Sequence, residues 1–402
     1  MQKHGGFMFY PFLILLLLFF TSCDPGTEEE QQQNGRFSPN TQRLMNFLED
    51  VYGDYIISGQ MDTSWTTNST MDMVTRVFDD TGKYPALKGF DLIQLPYSNN
   101  PFHAGKEQID EAIDWWEGKN RRNGTPAQKL LTDKPDIHGI IAICWHWRVP
   151  GWRSGNTGSS SMEFYTNQTN FRIPWKDGRL DTDSANFKNT IIADLDKVAD
   201  LLKLLQDKDI PVLWRPMHEA AGNWQPSSQQ VGWFWWGASG PDPYIALWEF
   251  MYDYLTVEKK LNNLIWVWNA QHTLWAPQPY TVDIVSYDYY PWPRNTPATA
   301  QNYNSQKSTF DQVAGWVADG TSRMVAMSEN GGIPDPVKCK QDNAMWSWFM
   351  VWNDSGAVGV DNQDNFWTGE FVNTQVHKDY VYNHELVLTL DELPDLTKYR
   401  LK

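Results

Sequence analysis

Short apolar runs alternate with amphipathic ones along residues 40–402, and the alternation has two periods. Eight runs, 55–59, 86–92, 139–147, 211–217, 264–269, 282–288, 324–328 and 346–352, are short and nearly continuous in apolar side chains. Runs of that kind predict strands covered on both faces. Helical spacing fills the intervals at 41–51, 68–79, 106–118, 187–206, 243–258 and 308–318. The clearest is 187–206, where Ile191, Leu195, Val198, Leu202 and Leu205 form one apolar stripe. Strand–helix alternation of this sort predicts an α/β fold with a parallel sheet, and eight units close a (β/α)8 TIM barrel. A doubly wound open sheet is the alternative. Its Gly-rich first turn, G-x-G-x-x-G, is missing from the sequence. No internal repeat or Pro/Gly/Ser linker interrupts 40–402, so these residues read as a single domain.

The N-terminus has a different pattern. After Lys3 and His4, residues 7–20 are apolar almost without a break, too short a stretch to span a bilayer as a helix. Thr21, Ser22 and Cys23 follow, so residues 1–22 are expected to be a lipoprotein signal peptide with Cys23 the acylated new N-terminus. An ordinary signal peptide with an incidental cysteine is the simpler alternative. Residues 23–39 are acidic and polar, as expected of a tether between membrane and domain. The expected location is the outer membrane, surface-exposed or periplasm-facing, with membrane contact through the N-terminal lipid only.

Removing residues 1–22 takes away one lysine and no acid, and moves the formal charge from −16 to −17. That charge argues against nucleic acid or anionic lipid as the main partner. Only Cys144 and Cys339 remain beyond Cys23, enough for one pair but not for a disulfide framework, and the His/Cys spacing does not suggest zinc. The chain holds 22 Trp, 17 Tyr and 19 Phe. Flat aromatic faces with polar edges suit sugars, and an aromatic core would use the same residues.

In a barrel, chemistry sits just past the C-terminal ends of strands. The fourth run ends Trp214-Arg215-Pro216-Met217-His218-Glu219, and the seventh ends Met327-Ser328-Glu329. Two carboxylates facing each other across a barrel are what glycosidic cleavage requires: a protonated acid for the leaving oxygen and an ionised partner. Alternatively, one of the two is structural, paired with Arg215. His146 closes the third run, and is either a sugar contact or a buried, satisfied histidine. Tyr287, Tyr289 and Tyr290 follow the sixth run, and any one of them is in a position to hold a carboxylate by its hydroxyl. Trp352 at the end of the eighth run is a candidate floor for a sugar or a core residue. The loop 220–237 carries five Trp or Phe within fourteen residues, Trp224 and Trp233 among them, and exposed aromatics at a cleft commonly bind a ligand.

Trp214-Arg215-Pro216-Met217-His218-Glu219 followed by Trp233-Phe234-Trp235-Trp236-Gly237, with Ser328-Glu329 downstream, resembles glycoside hydrolase family 26, best known for β-mannanases. Ile57-Ser58-Gly59-Gln60 and Leu390-Asp391-Glu392-Leu393-Pro394 resemble the family's ends, so the likeness covers roughly 40–395. The resemblance implies a retaining, double-displacement hydrolase, with internal β-1,4-mannosidic bonds of mannan the expected target and endo or exo action left open by the sequence. A monomer that needs no metal or cofactor is expected. Glu219 matches the acid/base and Glu329 the nucleophile. His146 and His218 match substrate-contacting histidines, Tyr290 the tyrosine that holds the nucleophile, and Trp352 the tryptophan under the sugar whose bond breaks. Arg215 is expected to be a supporting residue of the site. The loop after Gly222 is longer than the common form: spacing from Glu219 points to Trp224 as the site tryptophan, whereas the rarer Phe-Trp-Trp-Gly block points to Trp233. Asn353 stands where many relatives carry Arg. The same scaffold serves β-1,3-xylan and mixed-linkage β-glucan, which stay open as substrates. A non-catalytic glycan-binding lipoprotein would be expected to lack one of the two glutamates.

Overall fold

The apolar runs become parallel strands because helices cover their outer faces and side chains fill their interior, leaving no polar face to solvate. The computed structural model describes residues 35–402 except 63–71, 94, 96–100, 122–125, 151–163, 228–229, 318 and 355–360. The expected signal peptide, Cys23 and most of the tether lie outside them. Phe37–Lys402 form one compact unit.

Seven strands lie side by side, all parallel and in chain order: β1 (Gly59–Met61), β2 (Leu87–Asp91), β3 (Ile140–Trp145), β4 (Val212–Pro216), β5 (Leu264–Trp268), β6 (Ile284–Tyr289) and β7 (Met324–Asn330). Every residue of β2, β4, β5 and β7 is buried. The eighth position is taken by residues 347–352, which bond to both edges of the sheet. Ser347 N donates to Val325 O (2.7 Å) and Trp352 N to Asn330 O (3.0 Å) on one side. Met61 N donates to Val351 O (2.8 Å) and Ile57 N to Ser347 O (3.0 Å) on the other. The ring is therefore a closed (β/α)8 barrel. The eighth ladder is irregular because Asn330 Oδ1 accepts from Met350 N at 2.7 Å, a side chain standing where a backbone carbonyl would. The first apolar run is split. Its start, Ile56–Ile57, pairs with Val387–Leu388, and the barrel strand proper begins at Gly59.

Helix α1 (Pro39–Val51) precedes the barrel, with Ser38 accepting from Thr41 N as its N-cap. The helices α2 (Met73–Thr81), α3 (Pro101–Trp116), α4 (Ala193–Gln206), α5 (Pro241–Asp253), α6 (Lys307–Ala314), α7 (Pro336–Gln341) and α8 (Gln375–Tyr382) follow strand positions one to four and six to eight. The stripe expected over 187–206 is fully buried at all five positions. A π-helical turn, Lys188–Ile192, leads into α4. After β5 come only two single 3₁₀ turns, Thr273–Trp275 and Pro279–Thr281. Helices α7 and α8 are not among the predicted ones, and α7, at six residues, is too short to show a periodicity in the sequence.

Of the 22 tryptophans, thirteen are fully buried among the described residues. The aromatic richness is thus first a property of the core, and only the remainder is available for a ligand. Cys144 and Cys339 are both buried and unpaired, so the one possible disulfide is not formed.

Candidate functional site

Strand ends converge on one polar cluster. Arg215 on β4, Asp288 on β6 and Glu329 on β7 are each at most 6 % exposed. Arg215 Nη1 donates to Asp288 Oδ2 at 2.9 Å, and its Nη2 donates to Glu329 Oε1. Tyr290 Oη donates to Glu329 Oε2 at 2.9 Å. Of the three tyrosines on this stretch, Tyr290 therefore holds the carboxylate. Tyr289 Oη instead accepts from Asn302 (3.1 Å), and Tyr287 packs against Trp316.

The β6–β7 ladder shifts register between Tyr287 and Asp288, which puts Asp288 opposite Glu329 and leaves Ser328 as the extra residue. The bulge lets two successive residues join one interior network. Ser328 Oγ donates to Asp288 Oδ1 at 2.8 Å, and Asn269 Nδ2 donates to the same oxygen at 2.7 Å. Alternation along a regular strand would have sent one of Ser328 and Glu329 outward.

β4 ends at Pro216, and the chain then turns with left-handed backbone at Met217 (φ 47°) and Glu219 (φ 51°). Such conformations cost non-glycine residues energy and cluster at functional sites. Here they turn neighbours that a strand would oppose toward one site. His218 is 1 % exposed and Glu219 8 %. Glu219 N donates to Asn269 O at 2.6 Å, and Gln271 Nε2 donates to Glu219 Oε1 at 3.1 Å. One carboxylate oxygen each of Glu219, Asp288 and Glu329 lies within 4.8 Å of the other two.

Both glutamates hold their protons more tightly than usual. Burial is the main cause for Glu219, reinforced by the charges of Asp288 and Glu329, and it raises the carboxyl well above 4.5. Burial and Asp288 push Glu329 up to about 7 against the pull of Arg215 and His146. The Arg215 and Tyr290 bonds favour the ionised form of Glu329, so Glu329 gives up its proton more readily than Glu219. Three acids around one arginine also bear on metal binding. Arg215 already bridges Asp288 and Glu329, so an ion held by this trio would have to displace a guanidinium. Asp91, Cys144 and His146 form a second donor group of comparable span, but Asp91 is engaged by His146.

The raised Glu329 has a stability consequence. Its folded-state pKa exceeds the unfolded one, so between pH 4.5 and about 7 the folded chain binds more protons and stability falls as pH rises. A rise from 4.5 to about 7 corresponds to about 3 kcal/mol. Glu329→Gln, which mimics the neutral form, is expected to be more stable than the parent by up to that amount above pH 7. The gain should disappear by about pH 4. Urea titrations at the two pH values measure it, and a pH-independent difference would contradict it.

The histidines form a chain. His146 Nδ1 donates to Asp91 Oδ2 (2.6 Å), at the end of β2, and its Nε2 lies 3.2 Å from His218 Nε2. Burial opposes a charge on His146, but Asp91's charge and hydrogen bond outweigh it and raise the ring above the usual histidine range. Burial, with Arg215 and His146 nearby, holds His218 well below that range. A charged His146 donating at both nitrogens and a neutral His218 accepting at Nε2 satisfies this order. Trp352 meets His146 edge-on at 5.8 Å between ring centres.

The aromatic loop differs from expectation. Phe234, Trp235 and Trp236 are buried, and only Trp224 and Trp233 are half-buried. Phe234 walls the histidines, 5.6 Å from His146 and 5.4 Å from His218. Trp235 and Trp236 donate to backbone carbonyls of Trp147 (2.6 Å) and His218 (2.8 Å). The block therefore clamps the turn that carries Glu219. A Cβ on Gly232 or Gly237 would run into the Ala220 carbonyl oxygen, which is why glycine brackets it. Trp233 packs on Gly222, three residues after Glu219, and its backbone N–H donates to Gly222 O (3.0 Å). Trp224 packs on His272 and Trp275 at 5.1 and 5.5 Å.

The sequence reading missed Asp91, Asp288, Asn269 and Gln271. The first two carry the signal that exposed the glutamates, an acid at the end of an apolar strand. Asn269 and Gln271 carry none, since neutral amides at loop starts are ordinary.

The family model described as Glycosyl hydrolase family 26 matches residues 34–392. The chain belongs to that family. A mannan endo-1,4-β-mannosidase of Thermothelomyces thermophilus is 34 % identical over 359 residues, 87 % of this chain and 60 % of that protein. Mannan endo-1,4-β-mannosidase B of Piromyces is 31 % identical over 362 residues, 90 % of this chain and 53 % of that protein. The crystal structure of a family 26 β-(1,4)-mannanase with a carbohydrate-binding module from Podospora anserina superposes with a TM-score of 0.68. It is 31 % identical and covers 91 % of this chain and 69 % of its own. The family 26 chain thus spans 53–60 % of the length of these two curated relatives.

Proposed function

We propose that this family 26 chain hydrolyses internal β-1,4-mannosidic bonds of mannan, galactomannan or glucomannan with retention of configuration. The observation that carries the reading is the approach of Glu219 and Glu329 oxygens to within 4.8 Å. Retaining enzymes hold their carboxyl groups about 5–5.5 Å apart, and inverting ones need about 6.5–9.5 Å to admit a water. The more acidic of the pair, Glu329, is assigned as nucleophile. It attacks the anomeric carbon while Glu219 protonates the departing oxygen, and Glu219 then deprotonates the water that opens the glycosyl-enzyme. Arg215 and Tyr290 orient the nucleophile and balance its charge. His146, His218, Trp233 and Trp352 line the sugar site, with Trp233 preferred to Trp224 for its packing beside the acid/base turn. The curated relatives are named for this activity, which supports mannan over the other β-glycans.

Reducing-sugar release from mannan, β-1,3-xylan and mixed-linkage β-glucan, measured side by side, tests the substrate. Release from xylan or glucan without release from mannan would replace it, and release from none would leave a binding protein. Tyr290→Phe removes one hydrogen bond to an ionised carboxylate, worth about 1.5–3 kcal/mol. It is expected to lower kcat/KM about 10–100-fold and to move the acidic limb of its pH profile, set by Glu329 near pH 7, upward. An unmoved limb would remove Tyr290 from this role.

The reading also places the enzyme in the outer membrane as a monomeric lipoprotein, with residues 1–22 removed, Cys23 acylated and residues 23–39 as tether. The apolar run 7–20 ending at Thr21-Ser22-Cys23 supports it. Cys23→Ala should shift the protein from the membrane fraction to the soluble one, and no shift would refute the anchor.

A further inference from the structure

We infer that Gln271 is a positioning residue that dictates which oxygen of Glu219 carries the transferable proton. The inference rests on the assignment of Glu219 as acid/base. Gln271 Nε2 lies 3.1 Å from Glu219 Oε1 and 3.5 Å from the backbone carbonyl oxygen of Asp288. A carbonyl oxygen only accepts, so the end of the Gln271 amide that faces it is the NH2 group. That NH2 donates to Glu219 Oε1 and cannot accept from it. In neutral Glu219 the carbonyl oxygen is the better acceptor, so this bond favours Oε1 as the carbonyl and Oε2 as the oxygen that carries the proton. In ionised Glu219 the same bond keeps Oε1 occupied, so the proton taken from water also arrives at Oε2. One oxygen thus handles both transfers, and a half-turn of the carboxyl that would exchange the two is opposed.

The backbone shows how this arrangement is held. Gln271 has φ +65° and Glu219 φ +51°, both in the left-handed region. The two segments are tied together by Glu219 N to Asn269 O (2.6 Å) and Ala221 N to Ala270 O (3.0 Å). No regular helix follows β5, so the loop is free to place Gln271 against strand four's turn. The other charged or titratable groups acting on this site are Asp288, Glu329 and Arg215, with the phenols of Tyr165, Tyr287 and Tyr290 around it. Asp288 and Glu329 accept but do not donate when ionised, and Arg215 is committed to those two acids. Asp288 also hydrogen-bonds the Glu219 carboxyl, and as an ionised acid it accepts the bond from the Glu219 proton and does not donate. Among the described side chains Gln271 is the donor to Glu219.

The test uses the full chain and aryl β-mannobiosides whose phenols run from strongly to weakly acidic. An acidic phenol departs without proton assistance and a weakly acidic one needs it. Gln271→Met keeps the length, lacks the donor and meets the same backbone φ. It is expected to lose about tenfold in kcat/KM on the least acidic phenol and less than twofold on the most acidic. The basic limb of its kcat/KM profile should move to higher pH, because a donor to Oε1 favours ionised Glu219 and its loss raises the pKa. If Gln271→Met does not fold, Gln271→Leu, which also lacks the donor, carries the same leaving-group expectation. A loss that is uniform across the phenols, or an unmoved basic limb, overturns the inference while leaving the acid/base assignment standing. Glu219→Ala, run in the same series, guards that assignment. If it shows no dependence on the leaving group, the assignment falls, and the inference with it.

Discussion

Glu329→Ala is expected to lose about 10⁴-fold or more in kcat on mannan, and Glu219→Ala about 10²–10⁴-fold, with the fold intact in both. Neither carboxyl supports the barrel. Each is buried at a cost reflected in its raised pKa, so its removal relieves a charge that the site has to compensate. The two losses should also differ in kind. Without Glu219, an acidic aryl leaving group still departs and the glycosyl-enzyme accumulates, because no base activates water. Azide, which needs no base, then attacks that intermediate and yields the β-glycosyl azide, with configuration retained. Without Glu329 no intermediate forms, and azide entering the vacated space displaces the aglycone directly to give the inverted α-azide. The anomer of the azide product, read by NMR, assigns the roles independently of rate. Near-normal hydrolysis by either variant would refute the pair, and exchanged anomers would reverse the roles.

Arg215→Met is expected to be the most damaging substitution outside the two glutamates, affecting both stability and turnover. Arg215 neutralises Asp288 and Glu329 at positions with almost no solvent. Removing one partner of a buried ion pair costs about 3–5 kcal/mol, because the remaining charge has no water to solvate it. The loss should depend on pH with a definite sign. Without the guanidinium the folded-state pKa of Glu329 rises further above about 7, so the penalty is greatest on the alkaline side and shrinks as pH falls toward 4.5. Activity should follow for the same reason, since the nucleophile stays protonated to higher pH and the acidic limb of kcat/KM moves upward. Urea midpoints at pH 5 and pH 8 check the first part. An equal loss at both would mean that Arg215 acts through packing and not through charge.

Much of this was legible in one dimension. The barrel was, because a strand covered on both faces has to be apolar nearly throughout, and a helix on a barrel has to be apolar on one stripe. The stripe from Ile191 to Leu205 is buried as its spacing implied. The glutamates were legible as acids ending apolar runs, and Asp91 and Asp288 have the same signature. What misled was exposure. The Trp-Phe-Trp-Trp block looks like a binding surface by composition, yet two of its indoles satisfy carbonyls in the core and Phe234 serves as a wall. A sequence lists aromatic side chains without saying which neighbours take up their faces.

The sequence by itself determined the architecture and the placement of two glutamates at strand ends, because burial periodicity and charge at the end of an apolar run are local properties of the chain. The proton affinities of Glu219 and Glu329 were decided by the tertiary structure. They depend on a bulge at Ser328 and left-handed turns at Met217 and Glu219, and on donors supplied by Arg215, Tyr290 and Gln271 at the ends of β4, β6 and β5. A carboxyl's affinity for its proton is set by what surrounds it in space, and those surroundings come from residues 39–114 positions away in the chain for Glu329, and 52 for Glu219.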